Sequence, residues 1–216
     1  MKIVPDRYDT SSNSEGQYQP GSNDKVLLNK LGITDSAEMD DIELDLLEQL
    51  YDAVLADVEE DQSLCVADIV EWHRKWLGNV YEWAGKQRSV NLGKGEFHFA
   101  AAQQIPYCLQ ELDAKNLSQY TPCNTFDDEP LIDAIAIVHV EFILVHPFRE
   151  GNGRIARLLA NVMSLQANKP ELDFSSWDAD RDNYFLAVQA GMDCNYEPMK
   201  RFVKQAIRDA EKGACE

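Results

Sequence analysis

His146-Pro147-Phe148-Arg149-Glu150-Gly151-Asn152-Gly153-Arg154-Ile155-Ala156-Arg157 gathers an imidazole, a carboxylate, a Gly-Asn-Gly turn and two arginines into one short run. Pro147 fixes its own φ and biases His146 away from the α region, so a helix ending near Val145 presents His146 at a chain reversal. Gly151 and Gly153 permit positive φ and close backbone approach, which lets successive N–H groups converge on an anion. From Gly153 onward Ile155, Leu158, Leu159, Val162 and Met163 recur at helical spacing. The glycine loop therefore opens a helix, whose N-terminal donors and dipole favour phosphate. Arg154 and Arg157 share a face off the apolar stripe and can reach past the loop. Glu150 at the same mouth, with phosphate oxygens, suffices to hold Mg²⁺. The run reads as a nucleotide site.

Outward from it, periodicity predicts helices over 37–58, 63–78, 100–116, 127–145, 153–168, 178–191 and 197–211. Asp178 reads as the N-cap of the sixth and Gly191 as its C-terminal stop. Ser89 to Phe99, with Gly93-Lys94-Gly95 in its middle, reads as a β-hairpin. Residues 1–25 form an N-terminal arm, an extended arm or flexible tail over 5–24, where the chain is rich in Ser, Asn, Gly, Asp and Gln with Pro5 and Pro20. Residues 26–212 form one domain. The fold class is mainly α, a helical bundle with one short hairpin.

The chain has 216 residues, room for a real core. A net charge of −18 disfavours a standing nucleic-acid or anionic-membrane surface, although excess acid also simply keeps a protein soluble. Five cysteines without a C-x-x-C pair suit a reducing compartment. The start Met1-Lys2-Ile3-Val4-Pro5 has no apolar leader region, and no apolar run approaches the length of a membrane span. The expected location is cytoplasmic.

The 146–157 run resembles the H-x-F-x-[D/E]-G-N-G-R-x-x-R motif of the Fic (Fic/Doc) family, with every defining position filled. Tyr81-Glu82-Trp83-Ala84-Gly85-Lys86-Gln87-Arg88 resembles the family's Y-x-W-A-G-x-x-R segment, and similarity runs from about residue 26 to about 205. The resemblance implies a Fic-like helical bundle whose hairpin, Leu92-Gly93-Lys94-Gly95-Glu96-Phe97, is a flap over the active site that docks the target segment by strand addition. It implies transfer of AMP from ATP to a Tyr, Ser or Thr hydroxyl of a target protein. His146 would be the general base. Glu150 would hold Mg²⁺, and the Gly151–Gly153 amides with the Asn152 side chain would meet charge developing on the transferred group. Arg154 would clamp the β-phosphate, and Arg157 the γ-phosphate or a regulatory carboxylate. Phe148 would pack in the core. Tyr184 resembles a position lining the adenine pocket, and equally suits an ordinary core aromatic.

The related Doc kinases carry Lys where this chain has Gly153, so the resemblance favours nucleotidyl transfer over kinase action. AMP is the family default, and another nucleotide or phosphocholine fits the same motif. Many relatives are silenced by a glutamate in an [S/T]-x-x-x-E-[G/N] pattern that pairs with the second arginine. Ser11 and Glu15, followed by Gly16, satisfy it literally, but Ser12-Asn13-Ser14 is poor helix material. A separate small antitoxin, as in toxin–antitoxin pairs, or no inhibitor at all is preferred.

Gly151-x-Gly153-x-x-Ala156 with Glu171 also mimics a dinucleotide fingerprint, but no βαβ alternation follows and nothing there accounts for His146 or Glu150. His139 and His146 lack further metal ligands at suitable spacing. A non-catalytic interaction module would leave Arg154 and Arg157 without a counter-ion.

Overall fold

A computed structural model of the chain describes residues 14–213. At its centre lies α5 (Asp128–Val145), apolar around most of its circumference: Leu131, Ala134, Ile135, Ala136, Val140 and Phe142 are all fully buried. A helix so widely apolar must be wrapped by others. Its wrapping comes chiefly from α6 (Asn152–Gln166), α9 (Glu197–Gly213) and the stretch Leu112–Leu117, with α8 (Arg181–Ala190) contributing less. Towards the N-terminus, α1 (Ser36–Ala56) packs on α2 (Val66–Leu77) and on α6. Asp35 caps α1, accepting from the N–H groups of Ala37 and Glu38 at 2.9 and 3.0 Å.

The helix expected over 100–116 starts later and changes gait. It comprises α3 (Ile105–Glu111), a π-helical stretch over Leu112–Leu117 and the single turn α4 (Ser118–Tyr120). The helix expected over 178–191 is two pieces, α7 (Ser175–Ala179) and α8, with Asp180 as the N-cap. Asp178 is therefore not the cap; its carboxylate is engaged elsewhere.

The hairpin is short. Strands β1 (Gly93–Lys94) and β2 (Phe97–His98) pair antiparallel, Gly93 opposite His98 and Lys94 opposite Phe97. Gly95, at φ +61°, supplies the left-handed residue that a two-residue turn needs.

From Ser14 onward the expected arm folds back on the domain. Glu15 is buried, Tyr18 bridges Leu27, and the Lys30 N–H donates to the Val80 carbonyl at 2.8 Å. Val26 joins the core at 3 % exposure; Ser14–Gly16 form a single 3-10 turn and Ser22 is buried, so the extended or flexible arm expected over 5–24 is not kept in 14–24. Ser11 lies outside the described residues. Among the described residues no helix is long and apolar enough to cross a membrane.

Candidate active site

α5 ends in a left-handed residue, His146, at φ 48° and ψ 58°, whose N–H donates to the Phe142 carbonyl at 3.0 Å. Pro147 denies His146 the helical region, and this cap is the consequence. The ring is held on two sides. It stacks on Phe99 at 3.8 Å between centroids, and its Nδ1 lies 3.2 Å from the Ile143 carbonyl. A carbonyl only accepts, so Nδ1 carries the proton and Nε2 keeps its lone pair. Burial, with the nearby Arg88 charge assisting, pushes the imidazole down to about 4. It is a neutral base at physiological pH.

Arg88, the last residue of the upstream segment, is 2 % exposed and fans its guanidinium over four carbonyls: His146 (2.7 Å), Val90 (2.6 Å), Ala100 (2.6 Å) and Val145 (3.3 Å). It ties the stem of the hairpin to the end of α5.

The loop that follows is pinned by Asn152. Its Oδ1 accepts from the Phe148 N–H at 2.9 Å and its Nδ2 donates to the Phe148 carbonyl at 2.8 Å. The side chain expected to meet a phosphoryl group is thus spent closing the loop. Phe148 is fully buried, as the sequence indicates. Gly151 sits at φ +81°, and a Cβ there would come within 2.4 Å of Trp76 Cζ3. Gly153 differs from expectation: it has ordinary helical φ inside α6, and a Cβ would meet nothing within 4 Å. Its value is open space, not left-handed backbone. The first bond closing α6 runs from Ile155 N–H to the Gly151 carbonyl, which leaves the Asn152, Gly153 and Arg154 amides as the unpaired helix start.

Gly153 and Arg154 of this start edge a cavity of about 510 Å³ lined by Lys25, Val26, Leu27, Ser36, Met39, Asp40, Glu43, Tyr81, Glu150, Gly151, Gly153, Arg154, Arg157 and Tyr184. Arg154 enters it paired with Glu43 at 2.9 Å, its guanidinium 5.4 Å from the Trp76 ring. Arg157 is held by Asp178 through two bonds of 3.0 and 2.8 Å and lies 5.1 Å from the Phe174 ring. Tyr184 lines the cavity and also packs in the core: its ring lies 5.3 Å from that of Trp177, and its hydroxyl meets His139 Nε2 at 2.8 Å. Glu150 pairs with Arg149 at 2.7 Å, its side chain more than half exposed.

Asp40 and Glu150 bring carboxylate oxygens to the same cavity, and Glu150 fits the single-carboxylate part of an Mg²⁺ shell. Among the described residues no three His, Cys, Asp or Glu side chains are grouped to hold a metal ion, so a divalent ion there would need phosphate and water oxygens to complete its shell.

His146 and the hairpin do not line this cavity. Phe97 and Phe99 form an aromatic cluster with Phe185, and Lys94 Nζ lies 4.5 Å from the Phe185 ring. The Glu15 carboxylate accepts from Ser89 N–H at 2.7 Å and from the Ser89 hydroxyl, and the Glu15 carbonyl accepts from Arg149 Nε at 2.8 Å. It braces the hairpin stem, while the carboxylate on Arg157 is that of Asp178. The pairing of Glu15 with the second arginine is not the arrangement seen.

Sequence reading missed Glu43, Asp178 as an arginine partner, and a buried histidine, His73, beneath the loop. Each reaches the site from a distant helix, and only the upstream Trp-Ala-Gly segment pointed to part of that neighbourhood.

A Fic/DOC family model matches residues 63–164. The chain is 30 % identical over 162 residues to a probable protein adenylyltransferase, y4lH, of Sinorhizobium fredii, covering 75 % of this chain and 81 % of that one. It is 32 % identical over 154 residues to protein adenylyltransferase fic-1 of Caenorhabditis briggsae, covering 71 % of this chain and only 28 % of the longer relative. Among solved structures, the BepC effector of Bartonella tribocorum with bound AMPPNP superposes with a TM-score of 0.68 at 21 % identity, covering 93 % of this chain and 98 % of that one.

Proposed function

The chain belongs to the Fic/DOC family, and from that premise we propose that it is a protein adenylyltransferase acting on ATP and a side-chain hydroxyl of a target protein. The observation that carries this reading is the pairing of a neutral His146, its Nε2 lone pair uncommitted, with a helix start whose amides and two arginines edge one cavity. The target hydroxyl gives its proton to His146 Nε2 as its oxygen forms a bond to the α-phosphorus. The bond from that phosphorus to the bridging oxygen breaks, and diphosphate leaves. The Gly151, Asn152 and Gly153 amides meet the negative charge on the transferred group, Arg154 takes the β-phosphate and Arg157 the γ-phosphate. Mg²⁺, bound by Glu150, would neutralise phosphate charge. The hairpin receives the target backbone as an added strand.

Open space at Gly153 supports nucleotidyl transfer over kinase action, since no ammonium stands there to turn the triphosphate. Regulation, on this reading, belongs to a separate small antitoxin or is absent, and does not rest on Glu15, which is engaged at Ser89. The four described cysteines are free thiols, which supports a cytoplasmic setting. The test is incubation with a protein lysate and ATP labelled at either the α- or the γ-phosphate. Label carried by the α-phosphate alone supports the reading; γ-label on protein replaces it with kinase action, and no label with a binding module.

A further inference from the structure

We infer that His73 is a positioning residue for the phosphate-binding amides: its imidazole holds the Glu150 carbonyl and so turns the Gly151 N–H towards the cavity. The inference rests on the functional reading above, but it concerns a residue on α2, far in sequence from the loop.

The tautomer follows from the partners. Gly85 N–H lies 2.8 Å from His73 Nδ1, and an N–H can only donate, so Nδ1 is the acceptor. The ring proton is therefore on Nε2, which lies 3.1 Å from the Glu150 carbonyl and donates to it. The ring cannot turn away. It is fully buried, stacks on Phe148 at 3.9 Å and meets Trp76 edge-on at 6.1 Å.

The Glu150–Gly151 peptide is trans and planar, so its C=O and N–H point in opposite directions. With the carbonyl fastened inward to His73, the Gly151 N–H is aimed outward. It finds no acceptor among the described residues, and Gly151 lines the cavity. Were the peptide to flip, a carbonyl oxygen would face the phosphates in place of a donor. Gly85 is part of the same device. At φ +73° it bends its amide onto the imidazole, and a Cβ there would come within 2.7 Å of Arg74 Cβ. The Trp83-Ala84-Gly85 segment is the seat of the histidine that sets the loop.

Two substitutions separate the ring's halves. In His73→Gln the side-chain amide reaches the position of Nε2 and can donate to Glu150. In His73→Asn it reaches only the position of Nδ1. Titration of each with ADP and Mg²⁺, followed calorimetrically, reads binding without turnover. The expected result is affinity within about threefold of the wild type for Gln and a loss of about tenfold or more for Asn, the scale of one hydrogen bond. Equal affinities for the two variants overturn the inference, leaving His73 a packing residue. Should His73→Asn fail to fold, the ring ¹⁵N shifts of the wild type decide: a protonated Nε2 with bare Nδ1 is required, and the opposite tautomer overturns the proposal. A wild-type protein that binds no nucleotide overturns the functional reading, and this one with it.

Discussion

Glu43 and Arg154 face one another at the cavity, with Glu43 Oε2 2.9 Å from Arg154 Nη1. The same carboxylate accepts from the Tyr81 hydroxyl at 2.7 Å, so it is fixed rather than wandering. A β-phosphate drawn to Arg154 has to displace this carboxylate or share the guanidinium with it. Glu43→Gln is expected to tighten ATP binding about threefold to tenfold, the scale of a partly exposed ion pair. Calorimetric titration checks this; weaker binding in the variant would make Glu43 a supporting ligand instead of a competitor.

His146→Ala should lower the rate of label transfer by roughly 10²- to 10⁴-fold, the range for a positioned base, while ADP affinity changes little. The pH profile adds a second reading. Burial holds the imidazole near 4, so Nε2 stays bare until the solution approaches that pH. kcat/KM should be level from pH 8 to about 5 and fall only below it, whereas an ordinary imidazole would lose half its activity near 6.5.

His139 gives a stability prediction with a definite sign. Burial depresses it to about 3, against an ordinary 6.5 in the unfolded chain. Between those values the unfolded state binds the extra proton, so stability falls as the pH drops through that window, by at most about 1.4 kcal/mol per unit. Urea unfolding between pH 4 and 7 should show a slope to which His146 and His73, also depressed by burial, add their own shares, and His139→Gln should reduce it by about one proton's worth without abolishing it.

The two loop glycines should part company. Gly151→Ala combines a left-handed backbone with a Cβ 2.4 Å from Trp76, and is expected to lower thermal stability by about 2 kcal/mol or more. Gly153→Ala meets nothing within 4 Å and should leave the unfolding midpoint unchanged or slightly raised. Its methyl should instead weaken ATP binding, because Gly153 lines the cavity. Thermal unfolding and nucleotide titration on both variants distinguish them.

What the sequence made legible was whatever is contiguous or periodic. α1, α5, α6 and α9 follow their apolar spacing, and the base, the glycine loop and both arginines lie in one run. What it hid depends on partners far along the chain. Asp178 carries the signs of an N-cap, yet the break at Asp180 frees it to hold Arg157. Glu15 fits a short inhibitory pattern, yet the fold delivers it to Ser89. Asn152 looks like a free amide beside a phosphate site, but the tight turn consumes both ends of it. The interruption of the third helix over Leu112–Leu117 has no residue-level signal that we can name.

Arg88 fastens Val90 and Ala100 at the two roots of the hairpin, and Val145 and His146 at the end of α5, with a single guanidinium. If the hairpin receives a client chain as proposed, a shift of the ribbon would tug on the backbone that carries His146. Recognition and reactivity would then share one joint, and a poorly seated client would leave the imidazole misaligned and go unmodified even when it reaches the mouth of the pocket.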